Sequence, residues 1–202
     1  MYMKAKVFIA AMAALVVISS FRPVMRGGFD KSGLYLTPDD FLKNQLSYAD
    51  DASQGTERRI KIHDGLFGSA TVDLIYNGKK QVFSLAQVYG YRDAQGRNYR
   101  FFGKQAYRIE DTTGFYLYSC NKLVRGEKIS RPTNLYYFSV SPGGDVQLLT
   151  RGNLENAYPQ NTRFRYSIEA LIGPFGSDAS LVAYDALLKI FKIKYYYTQS
   201  LQ

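Results

Sequence analysis

Apolar and polar positions along the chain fall into three regimes. Residues 7–18 (VFIAAMAALVVI) contain no charged or polar residue. From about residue 58 to 150, apolar residues recur every second position and are broken at short intervals by turn residues. After Pro159 the spacing lengthens to three or four. Period two marks half-buried strands and the longer period marks amphipathic helices. The apolar run is preceded by Lys4 and Lys6 and followed by Ser19-Ser20-Phe21 and Arg22-Pro23. That is the layout of a secretory signal peptide. The run is short for a membrane span, which needs ~20 apolar residues. We therefore expect residues 1–20 to be a signal peptide cleaved after Ser19 or Ser20, 21–36 an extended lead-in, and 37–198 one α+β domain.

Thr37-Pro38-Asp39-Asp40 reads as a helix start, with Thr as cap, Pro in the first turn and acids facing the positive end of the dipole. Residues 49–57 form a polar loop. Strands are predicted at 58–62, 70–76 and 81–86. Asn77-Gly78 is a strong hairpin signal. A two-residue turn there sets Leu74 opposite Gln81. A four-residue loop sets Leu74 opposite Phe83 and Val72 opposite Leu85, and this apolar matching favours the longer loop. Further strands are predicted at 88–92, 97–102, 105–110, 115–119, 134–140 and 145–150. Asp93–Gly96, Asp111–Gly114 and a Ser-Pro-Gly-Gly turn lie between them, and 121–133 is expected to be a basic loop. Such closely spaced strands suggest an antiparallel β-meander of about six to eight strands, a curved sheet or partly open barrel.

Two C-terminal helices are expected to pack on this sheet. In 162–172, Phe164, Ile168, Leu171 and Ile172 share a face, and Gly173-Pro174 ends it. A longer helix is expected from a Ser177 or Asp178 cap to about 195. Its stripe would be Leu181, Tyr184, Leu187, Leu188, Phe191 and Tyr195, with Lys189, Lys192 and Lys194 near its end.

Composition narrows the chemistry. Cys120 is the only cysteine, so no internal disulfide can form, and no cysteine follows the apolar run to carry a lipid. Its expected role is a small buried hydrophobe. His63 is the only histidine. There is no Gly-x-Ser-x-Gly elbow, phosphate loop or dinucleotide fingerprint, and no cofactor or metal is expected. Two distant carboxylates would suffice for a glycosidase and leave no motif, so a secreted carboxylate-dependent hydrolase stands as the alternative to a binding module. The net charge is +9. Removing residues 1–20 leaves 24 basic against 17 acidic residues, a net of +7. Outside a cell such a charge suits anionic envelope polysaccharide, lipid head groups or an acidic protein better than nucleic acid.

Tyr89, Tyr91, Arg92, Arg97, Tyr99, Arg100, Lys104 and Arg108 interleave aromatics with cations around two neighbouring turns. Lys122, Arg125, Lys128 and Arg131 in the next segment could extend the strip. If the strip binds an anion, Arg92, Arg97, Arg100 and Arg108 should be exposed on one face. The chain has 18 Tyr and 13 Phe but no Trp, and tyrosines suit half-buried strand positions. The stretch YLTPDDFLKNQLSYA, the segment GYRDAQGRNYRFF with QAYRIE after it, and the strand FYLYS resemble a group of uncharacterised exported proteins of Bacteroidota. The resemblance covers about residues 34–119. It implies export and carries no activity.

Overall fold

The computed structural model describes residues 31–49, 60–63, 70–125 and 130–202. The expected signal peptide, most of the lead-in and polar loop, and Lys128 lie outside these residues. The chain is α+β. It opens with β1 (Gly33–Tyr35) and α1 (Pro38–Leu42). Thr37 caps α1 with a reciprocal capping box to Asp40. Then come β2 (Lys61–His63), β3 (Thr71–Tyr76), β4 (Lys79–Ser84), β5 (Gly90–Arg92), β6 (Asn98–Phe102) and β7 (Gln105–Asp111). β8 (Tyr116–Arg125), β9 (Ser130–Ser139) and β10 (Gln147–Leu148) complete the meander. The C-terminal part holds α2 (Arg151–Ala157), α3 (Thr162–Ile172), β11 (Tyr184–Asp185), β12 (Ile190–Phe191) and α4 (Lys192–Gln199).

Seven antiparallel strands form one sheet in the order β1-β5-β6-β7-β8-β9-β10. β2-β3-β4 form a second sheet and β11-β12 a third. The large sheet curls into a half-barrel. On a flat sheet β6 and β9 would lie roughly 14 Å apart, three strand spacings. Yet Arg100 of β6 bonds the Ser139 hydroxyl of β9 at 3.1 Å. The face carrying Arg100 is therefore concave.

Each face has its own core. On the convex face, Leu34 and Phe101 pack against Val72, Leu74, Leu85 and Val88 of the second sheet and its 3-10 turn. Further along the same face, Phe115, Leu117 and Phe138 pack against Leu154, Phe164, Ile168, Leu181 and Ile193 of the helical region. The concave face is lined by Tyr107, Tyr116, Tyr118 and Tyr137, with Phe41 of α1 against them. Gly90 is required where β5 meets β6. A Cβ there would lie 2.0 Å from the Tyr99 carbonyl oxygen.

The structure corrects four expectations. The β3–β4 hairpin uses the two-residue turn, with Leu74 opposite Gln81. Asn77 and Gly78 both have positive φ, 49° and 72°, as a type I′ turn demands. The two candidate registers differ by two residues, so they keep every side chain on its face. Apolar matching could not separate them, and turn geometry did. Second, the segment 121–133 is not a loop where described. β8 and β9 pair from Tyr116↔Ser139 out to Arg125↔Ser130. Third, 145–150 holds only the two-residue β10, and Thr150 instead caps α2 by accepting from the Asn153 N–H.

Fourth, 179–195 is not one helix. It is a 3-10 turn over Asp178–Val182, the β11–β12 hairpin and the short α4. The Asp185 carboxylate accepts the N–H groups of Leu187 and Leu188, and Lys189 takes a φ of 53°. Such local side-chain bonds compete with the helical ladder. The expected stripe is thereby split, with Leu181 fully buried and Leu187 94% exposed. Lys194, placed near the end of the expected helix, is fully buried in α4.

Candidate binding surface on the seven-stranded sheet

Strand alternation divides the basic aromatic strip between two faces. Leu34, Tyr91, Tyr99, Arg108, Ser119 and Tyr136 are successive cross-strand partners and form one row over the convex face. Arg92 and Arg100 lie on the concave face with Tyr35, Asn98 and Tyr107. The arginines therefore do not share one face. Lys104 is exposed at the β6–β7 turn.

The convex row crosses the stretch between the two packed layers. Tyr91 and Tyr99 stack with ring centroids 4.6 Å apart and planes 4° from parallel. Arg108 is the next member across from Tyr99. Arg97, just before β6, is on the same side and exposed. Around them lies a groove of about 290 Å³. Ala106, Ser119, Cys120, Asn121 and Asn134 complete its lining. A second hollow of about 400 Å³ lies on the other side of Arg97 and Tyr99, bounded by Ser32, Lys61 and Tyr91. Arg97 and Tyr99 thus form a ridge between two adjacent hollows.

Acids hold these arginines in place. Asp93 accepts Arg97 Nε at 2.6 Å and also the N–H groups of Gln95 and Arg97. This fixes the Asp93–Gly96 turn, in which Gly96 donates to the Asp93 carbonyl at 3.1 Å. Glu110 accepts from the Ser119 hydroxyl and stands 3.5 Å from Arg108 Nε. It lies two residues from Arg108 and so shares the convex side by strand alternation, while the register shift between Ile109 and Asp111 sets Asp111 opposite Leu117. Burial, the stacked Tyr99 and the nearby Asp93 all raise the Tyr91 pKa, so its hydroxyl stays protonated.

The concave residues are structural ties. Arg92 donates to the side-chain oxygens of Asn98 at 2.9 Å and Asn44 at 2.6 Å, with its guanidinium over the Tyr35 ring. Arg100 is 4% exposed. It donates to the Tyr118 hydroxyl, the Ser139 hydroxyl and the Gly144 carbonyl, and it lies over the rings of Tyr89, Phe102 and Tyr118. Tyr89 is buried beside it. Lys122 sits 5.3 Å from the Tyr137 ring centroid, also on the concave side. Of Arg125 and Arg131 the backbone pairing alone is described.

Of the remaining sequence candidates, Cys120 borders the groove and His63 lies elsewhere. Cys120 is half-buried and near Gln105, and burial pushes its thiol up, away from a reactive thiolate. His63 Nε2 lies 2.8 Å from Asp73 on the three-stranded sheet, where Lys80 also bonds Asp73 at 2.7 Å. Lys80 is the main cause holding the Asp73 carboxyl below its usual range, with His63 adding and desolvation opposing. A lowered carboxyl is the opposite of a poised general acid. Among the described residues no three His, Cys, Asp or Glu side chains cluster for a metal, and no helix is long and apolar enough to cross a membrane.

No protein-family model, curated protein or solved structure matches this chain.

Proposed function

We propose that this protein is an exported, non-catalytic binding module of the cell envelope, and that the convex groove takes an acidic polysaccharide. The observation that carries the reading is the row Tyr99–Arg108–Ser119 in the gap between two packed layers, with Arg97 beside it. Two adjacent hollows sharing one ridge suit an extended polymer better than a compact ligand. The wall chemistry suits sugars. Asn121, Asn134 and Ser119 offer amide and hydroxyl groups to sugar hydroxyls. The arginine forks match carboxylate or sulfate. The tyrosine rings offer apolar faces to C–H groups. Asp93 and Glu110 are paired with Arg97 and Arg108, which favours binding over carboxylate catalysis. Export is supported by the charged and apolar layout of residues 1–20.

Affinity electrophoresis of the mature chain in gels carrying polygalacturonate, a neutral glucan or no polymer tests the reading. Retardation should occur with the acidic polymer alone, weaken with added salt, and shrink in Arg97→Ser/Arg108→Ser. Equal retardation by the neutral glucan, or none by either polymer, would overturn it. Binding to anionic vesicles alone would move the assignment to lipid head groups.

A further inference from the structure

The β11–β12 hairpin ends in an apolar tip that no described residue covers. Asp185 and Ile190 are its last paired residues, and 186–189 (ALLK) form the loop between them. Leu187 is 94% exposed, Leu188 59% and Tyr184, at the start of the hairpin, 54%. Scattered exposed leucines are ordinary, but two in succession at one protruding tip make a patch. The tip is also held in shape. The Asp185 carboxylate accepts the N–H groups of Leu187 and Leu188, each at 3.0 Å, and Lys189 closes the turn with a φ of 53°. At the base, the Tyr184 ring packs edge-on against Phe191 with centroids 5.2 Å apart, and the Lys192 N–H donates to the Ala183 carbonyl at 2.8 Å. The leucines are therefore presented outward by a fixed loop, and burying them needs little further ordering.

The charges around the tip are lopsided. Lys189 and Lys192 are exposed and form no ion pair among the described residues. Asp185, the only acid of the hairpin, is turned onto backbone N–H groups. We propose that the tip inserts Leu187 and Leu188 into the surface of an anionic bilayer, with Lys189 and Lys192 against the lipid phosphates. An apolar point, a tyrosine behind it and lysines at its base match the layers of such a surface: acyl chains, the interface where tyrosine sits, and negative head groups. A protein partner fits less well. A stable interface buries about 800 Å² on each side, and a four-residue tip is too small for that. The attachment uses a different part of the chain from the convex groove and does not rest on it.

Co-sedimentation of the mature chain with vesicles of phosphatidylglycerol and phosphatidylcholine, against phosphatidylcholine alone, tests the proposal. The chain should pellet with the mixed vesicles, less with the neutral ones, and less as salt is raised. Leu187→Ser/Leu188→Ser should bind roughly tenfold more weakly or worse, as expected when two leucines no longer enter the bilayer. Arg97→Ser/Arg108→Ser should bind as the wild type does, which separates the tip from the groove. The chain has no tryptophan, so Leu187→Trp places a single reporter at the tip. Its emission should shift to the blue on the mixed vesicles. No pelleting with the mixed vesicles, unchanged binding in the leucine variant, or an emission that vesicles do not move would overturn the proposal. So would a dimer in analytical ultracentrifugation that the leucine variant abolishes, which would assign the tip to a second copy of the chain.

Discussion

Arg100 donates from Nη2 to the Gly144 carbonyl oxygen at 2.6 Å, and so ties the middle of the seven-stranded sheet to the turn after β9. The bond joins residues 44 positions apart. With Ser139 and Tyr118 it holds the curl that makes one face concave. Arg100→Lys keeps the charge but loses the fork that reaches three acceptors. It should lower stability by about 2–3 kcal/mol, the size expected for buried acceptors left unpaired. Urea unfolding checks this. A loss under about 0.5 kcal/mol would mean that the tie is idle.

Arg100 is therefore a poor place to test binding, because its loss would disturb the fold. Arg97→Ser/Arg108→Ser changes two exposed residues, and exposed substitutions usually cost no more than ~0.5 kcal/mol. Its melting temperature should stay close to wild type, as differential scanning calorimetry can show.

Lys194 predicts an alkaline rise in stability. Its ammonium is fully buried, donates to the carbonyls of Thr113 and Phe115, and lies 3.7 Å from Asp111. Burial lowers its pKa from 10.5 to about 8, against the opposing pull of Asp111. Between these values the unfolded chain holds more protons than the folded one, so stability rises with pH from about 8 towards 10, by roughly 3 kcal/mol at most. The buried tyrosines act oppositely. Burial raises the pKa of Tyr89, Tyr91 and Tyr158, so the stability they contribute below pH ~10 is lost above it. Stability against pH should therefore peak near 10. Lys194→Met should abolish the rising limb and keep the falling one. A flat wild-type profile between pH 8 and 10 would refute the burial of this charge.

Gly90→Ala should be among the most damaging single changes. The added methyl would meet backbone at 2.0 Å, and backbone cannot swing aside as a side chain can. A loss of about 3 kcal/mol or more is expected, the upper end of what overpacking costs. Chemical denaturation checks it.

Local chemistry made several elements readable in the sequence. Thr37, Pro38 and Asp40 cap α1 with groups within four residues of one another. Phe164 and Ile168 were readable as the buried face of α3. Where a competing local bond decided, the pattern misled. Leu181 to Tyr195 has helical spacing, yet Asp185 captures the N–H groups that a helix needs. The segment 121–133 lacks apolar contrast because Asn121 and Leu123 are both exposed on the long β8–β9 arm. The strip's composition was legible, and alternation alone separates Arg100 from Tyr99. That Arg100 is buried was not legible, because Ser139 and Gly144 reach it only through the curl of the sheet.

The most direct measurement is an NMR titration of the mature protein with a short oligogalacturonate. Shift changes should centre on Tyr99, Arg108, Ser119, Asn121 and Asn134, spread to Arg97 and Lys61, and fade as salt is raised. Changes confined to the three-stranded sheet or to the helices, or no change at millimolar ligand, would contradict the convex groove as the binding surface.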